Sequence, residues 1–168
     1  YHIIGSIIWG LSINIGNHGV YLFPEFQLGN SYKADYLLVG KSSGGYEFIF
    51  IELESPYGNI TLKDGQLGAE FRDGISQLED WKRWLPANYS SFGEIMRKHK
   101  NSARDLPEEF YILDMSRFHY VVISGRRSDF QDKTYIIKRE RKKADDIDII
   151  HYDNLYDFSN NLIGKLTY

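Results

Sequence analysis

The run Phe48-Ile49-Phe50-Ile51 is apolar at every position and ends in Glu52-Leu53-Glu54. A strand of that composition is buried on both faces and belongs in the middle of a sheet. Its neighbours complete a hairpin. Ala34 to Val39 reads as a strand, Lys41 to Gly45 as a polar Gly/Ser turn, and Tyr46 to Leu53 as the second strand, a pattern that joins antiparallel neighbours. Aromatic residues supply 15% of the chain and only four residues are Pro, a mixture that also favours strands over a helical bundle.

The remaining segments follow from periodicity. Val20 to Leu28 reads as a strand with Tyr21, Phe23 and Phe26 toward the core. A helix is predicted from about Gln66 to Leu85, stopping before Pro86, with Leu67, Phe71, Ile75, Leu78 and Leu85 forming its apolar stripe. Residues 87 to 107 read as an irregular excursion. Phe118 to Ser124 is a further apolar strand, and Tyr135 to Lys143 is open between a short strand and a helix. Ile147 to Tyr152 reads as a strand and Asn154 to Leu166 as an amphipathic helix. At the start, Ile3, Ile4, Ile7, Ile8 and Trp9 have helical spacing, which favours a short core helix over Tyr1 to Leu11. The sum is one α/β domain over residues 1–168, a mixed central sheet with helices packed on it.

Composition removes several classes of function. The absence of Cys excludes disulfide scaffolds, thiolate metal sites and cysteine nucleophiles. No apolar run approaches the ~18 residues a membrane span needs, so no membrane partner is expected. The chain opens at Tyr1 with no basic leader and no initiator Met, and reads as the C-terminal part of a longer, intracellular protein whose N-terminal portion is a plausible sensor or brake. A formal charge of -3 means that an anionic partner must be held by a local patch. Three basic segments offer such patches: Arg97 to Lys100, Arg126-Arg127, and residues 138 to 143. His99, His119 and His151 lack paired ligand spacing and read as surface or core residues.

The chemistry rests on three acids. Glu52 and Glu54 are two apart on a strand and so share a face. Asp35 lies near the start of the preceding strand and pairs roughly with residues 51 to 53, so all three carboxylates converge at one end of the sheet. Acids at strand ends are ordinarily just solvated. Here Glu52 directly continues a buried strand, and Asp35 arrives from the neighbouring strand at the matching end. Converging carboxylates raise one another's pKa or demand a cation between them, and hard divalent ions such as magnesium are held by carboxylate oxygens. Gln77, at the edge of the helix's apolar stripe and one turn from Asp73 and Trp81, is placed to bring its amide to these acids or to an attacking water.

Asp35 on one strand, Glu52-Leu53-Glu54 ending the next, and a helix carrying Gln77 is a pattern similar to the PD-(D/E)XK, or restriction-endonuclease-like, nuclease superfamily. More specifically, Lys33 to Val39, Phe50 to Pro56, Gly74 to Trp81 and Ile149 to Leu155 resemble the nuclease domain of Shedu anti-phage defence proteins. The resemblance implies a metal-dependent endonuclease that cuts double-stranded DNA in the bacterial cytoplasm and forms homo-oligomers. Asp35 and Glu52 would hold magnesium, with manganese as a substitute and the Leu53 carbonyl as a further ligand. Glu54 would orient or activate the water, and Gln77 would support the site. One departure stands out: the superfamily places Lys where this chain has Glu54. Lys63, in the loop that follows, is a candidate for the missing positive charge. The alternative implied by Glu54 is a catalytically weak module of the same fold that binds DNA or a partner.

Overall fold

A computed structural model describes residues 20–162 apart from 101, 102 and 104. The helix expected over Tyr1 to Leu11 lies outside the described residues. Five strands form one sheet in the order β1 to β5: β1 (Tyr21–Leu28), β2 (Tyr32–Ser42), β3 (Gly45–Leu53), β4 (Phe118–Ile123) and β5 (Ile147–Ile150). The first three make an antiparallel meander, whereas β3–β4 and β4–β5 pair in parallel. As its apolar run requires, β3 is central: Phe48, Ile49, Phe50 and Ile51 are all buried.

Four helices complete the described fold: α1 (Ala69–Ala87), α2 (Tyr89–His99), α3 (Asp132–Asp145) and α4 (Tyr152–Leu162). Phe71, Ile75, Leu78, Trp81 and Leu85 of α1 join Phe48 and Phe50 of β3, Tyr120 and Val122 of β4, and Phe92 and Met96 of α2 in the larger core. Phe50 and Tyr120 stack at 5.6 Å across the parallel β3–β4 pair. The opposite sheet face buries Leu38, Ile49, Ile51, Val121, Ile123 and Ile150, with Leu155 of α4 packed against them. Fully burying each such side chain contributes roughly 1.5–3 kcal/mol, so the two cores fix where the end of β3 stands.

The structure differs from the sequence reading in three places and settles a fourth that the sequence leaves open. The α1 helix starts later, after Gly68, and carries Pro86 within its last turn. The segment read as irregular after residue 87 contains α2, whose Phe92, Ile95 and Met96 are buried at i, i+3 and i+4. Asp132–Asp145 settles as a helix with a capping box between Gln131 and Thr134. Tyr152 begins α4 and does not extend β5, because the Asn154 side chain accepts the His151 N–H and turns the chain.

Candidate active site at the end of strand β3

The sheet changes sense at β3, which is antiparallel to β2 and parallel to β4, and its last residues lead into the acidic segment. The β2–β3 ladder ends at the pair Tyr36–Ile51. Continued by one residue, that register sets Asp35 level with Glu52. Asp35 then takes over from the ladder, as its Oδ2 accepts the Leu53 N–H at 2.7 Å. The expected pairing of Asp35 with residues 51 to 53 is therefore present, and a side chain makes it.

Glu52 alternates with Ile51 and Leu53, so it points to the face covered by α1. It is 7% exposed, and its Oε2 is buried with no hydrogen-bond partner. Burial first, then the charges of Asp35 and Glu54, push its carboxyl up to about 8; hydrogen bonds from Gln77 and from the Asp35 backbone act in the opposite direction. Glu54 is half-buried, and its Oε1 accepts from Gln77 Nε2 at a long 3.4 Å. Burial is again the largest cause raising its pKa, followed by Glu70, Asp73 and Asp35.

Main-chain bonds hold the acidic segment in place. The Glu54 N–H donates to the Ile123 carbonyl at 2.8 Å, and the Glu54 carbonyl accepts from the Tyr152 hydroxyl at 2.7 Å. Ser55 is fixed next, its carbonyl accepting from the Gly125 N–H and the Ser124 hydroxyl. The α1 helix lies close over this segment at Gly74. A Cβ there would stand 2.5 Å from Val122 Cγ2 and 2.9 Å from Glu54 Cγ. That approach brings Gln77, one turn further on, to Glu54.

Asp35, Glu52, Glu54 and Gln77 thus meet at one end of the sheet. Among the described residues, no group of three or more His, Asp or Glu side chains is placed to hold a metal ion. A magnesium-like ion does not need one, since it keeps several waters and takes one or two carboxylates. The unpartnered Glu52 Oε2 and the second oxygen of Asp35 fit that requirement. Tyr152, which steadies Glu54, falls within the strand that the sequence predicts over 147–152; the signal for its role is the Asn154 turn that starts α4.

Among the described residues, Lys63 makes no ion pair or hydrogen bond with these acids. It sits exposed in the turn Leu62–Gln66, whose Leu62 carbonyl accepts from Gln131 near the start of α3. Of the ten Lys and Arg in the three basic segments, five make ion pairs within the fold. Arg126 grips Asp153 through two bonds, at 3.0 and 2.5 Å, and Arg127 pairs with Asp157. Arg141 meets Glu79 and Asp145, Lys142 meets Asp146 and Asp148, and Lys100 meets Asp105. The three histidines among the described residues make contacts within the fold: His99 packs on the Phe26 ring, His119 bonds Glu47 at 3.0 Å, and His151 is buried against Phe130.

A family model described as Shedu protein SduA, C-terminal, matches residues 4–156. No curated protein matches the chain.

Proposed function

The chain belongs to the Shedu family, and on that premise we propose that it is a nuclease domain hydrolysing phosphodiester bonds of double-stranded DNA, with magnesium or manganese held at Asp35 and Glu52. Membership of that family implies a part in anti-phage defence. The observation that carries the chemical reading is Glu52: a carboxyl at 7% exposure, one oxygen unpartnered, with a second and a third acid beside it. Such a group is either protonated or faces a cation.

A bound divalent ion would supply charge neutralisation at the phosphoryl oxygens and a more acidic water. The chain's own residues have distinct tasks. Asp35 commits one oxygen to the Leu53 N–H and offers the other. Glu54, with its pKa raised by burial and acidic neighbours, is suited to take a proton from the attacking water. Gln77 fixes Glu54 Oε1, and Tyr152 fixes the main chain behind it.

The test is incubation of plasmid and linear duplex DNA with the chain, Asp35→Asn and Glu52→Gln, in magnesium, in manganese and in chelator. Cleavage that needs metal and falls at least ~100-fold in both variants is the expected result. A folded chain that binds DNA and leaves it intact in either metal would replace the nuclease by a DNA-binding module of the same fold.

A further inference from the structure

The acids at the end of β3 belong to a row that crosses three strands. Asp35 is level with Glu52 on one side, and the register pairing Pro24 with Tyr36 and Phe26 with Ala34 sets it level with Glu25 of β1 on the other. Glu25 interrupts its strand with a φ of 48°, a left-handed conformation uncommon for a residue other than glycine. The buried positions of β1 change phase there, from Phe23 to Phe26 and Leu28. From this kink the Glu25 carboxylate accepts a hydrogen bond from Lys33 Nζ at 2.8 Å. Lys33 is two residues before Asp35, and its ammonium feels the charges of Asp35 and Glu52 as well as that of Glu25.

The site needs such a cation. Three carboxylates and one divalent ion leave a negative charge in excess, a phosphodiester brings another, and more develops as the phosphorus is attacked. After burial, the charges acting most on Glu52 and Glu54 are those of other acids. A DNA phosphate approaching that end of the sheet is repelled unless an ammonium meets it.

We propose that Lys33 is the phosphate-binding cation of this site, and that Glu25 occupies the place on its ammonium that a DNA phosphate oxygen takes. The inference rests on the nuclease reading for its substrate. Exchange of partners is open to the pair because both side chains reach solvent, Lys33 at 48% and Glu25 at 76% exposure, where ion pairs hold weakly. The left-handed backbone at Glu25 brings its carboxylate to Lys33 and leaves the outer side of the ammonium accessible.

Two measurements on the same proteins test this. Duplex DNA binding is followed by fluorescence anisotropy across a salt series with chelator present, and single-turnover cleavage is followed in magnesium. Lys33→Gln is expected to lower the log–log salt slope by about 0.9, the loss of one phosphate contact, and to slow cleavage on the order of 10–100-fold. Lys33→Arg should restore the slope, and Glu25→Gln should tighten binding by releasing the ammonium. A Lys33→Gln protein with unchanged slope and rate, beside a Glu52→Gln protein that no longer cuts, overturns the assignment and leaves the nuclease standing. A slope that depends on Lys33 without cleavage in either metal keeps Lys33 as a phosphate contact and retires the nuclease. Absence of DNA binding retires both.

Discussion

At Glu52, ionisation costs folding free energy, because burial leaves one charged oxygen without a partner. Its carboxyl titrates at about 8 in the folded chain against an ordinary 4.5, so the folded state binds the extra proton between those values. Metal-free stability from this residue is therefore full below about pH 4.5, declines as pH rises, and levels off above about 8. Each pH unit in that window is worth at most ~1.4 kcal/mol, and with relaxation the total is on the order of 2 kcal/mol. His99 and His151, held low by burial, act in the opposite sense as pH falls below their ordinary 6.5. The informative quantity is thus the difference between the natural chain and Glu52→Gln. In denaturant titrations without metal, Glu52→Gln should be the more stable at pH 8, and the two should converge near pH 4.5. Magnesium should raise the melting temperature of the natural chain at pH 8 and leave that of the variant unchanged. Parallel stability curves from pH 4.5 to 8 would show that Glu52 stays ionised and solvated.

Between elements, the decisive contact is the crossing of α1 over β3 and β4 at Gly74. Alanine there would gain up to ~1 kcal/mol of helix propensity. The added methyl would also press on Val122 Cγ2 and Glu54 Cγ inside ordinary contact distance, an overpacking worth roughly 1–3 kcal/mol. Repulsion should win, since Val122 is fully buried in β4 and has little room to yield. Gly74→Ala is expected to lower stability by ~1–2 kcal/mol in urea titrations and to slow cleavage as Gln77 is lifted from Glu54; a stabilised variant would mean that the helix gives way freely. This crossing also shows what the sequence could disclose. The apolar stripe of α1 and the continuous run of β3 are strong periodic signals, and they place Glu52, Glu54 and Gln77 on facing surfaces. Gly74 carries no such signal, because close approach depends on the partner surface. The α2 helix was obscured by Ser90, Ser91 and Gly93 beside a basic end, although Phe92, Ile95 and Met96 held helical spacing. In α3, the charged run from 138 to 143 diluted the period, and its helix is secured by tertiary pairs such as Arg141 with Glu79. Lys33 lay inside a recognisable segment, but its partner Glu25 depends on a backbone kink that sequence does not announce.

For the molecule as a whole, the candidate site stands at the carboxyl end of β3, where the sheet passes from antiparallel to parallel pairing. Electrostatics decide how DNA reaches it. The net charge is -3, and Arg126, Arg127, Arg141, Lys142 and Lys100 already face acids. A phosphate that recruits any of them must displace a carboxylate and leave it facing the DNA, so little is gained per contact. DNA binding by a single copy should accordingly be shallow in its salt dependence. With Lys33 and two of the exposed cations outside those pairs, such as Lys98 and Arg139, engaged, the log–log slope is expected at about -3, since each phosphate contributes about 0.9. Anisotropy titrations of a short duplex from low to physiological salt measure it. A slope steeper than about -6 would show that the basic segments abandon their internal acids for phosphates together. In that case Asp153→Asn, which frees Arg126, should leave affinity unchanged. On the internal-pair account, Asp153→Asn should tighten binding, because the guanidinium it releases is then available to the backbone of the DNA.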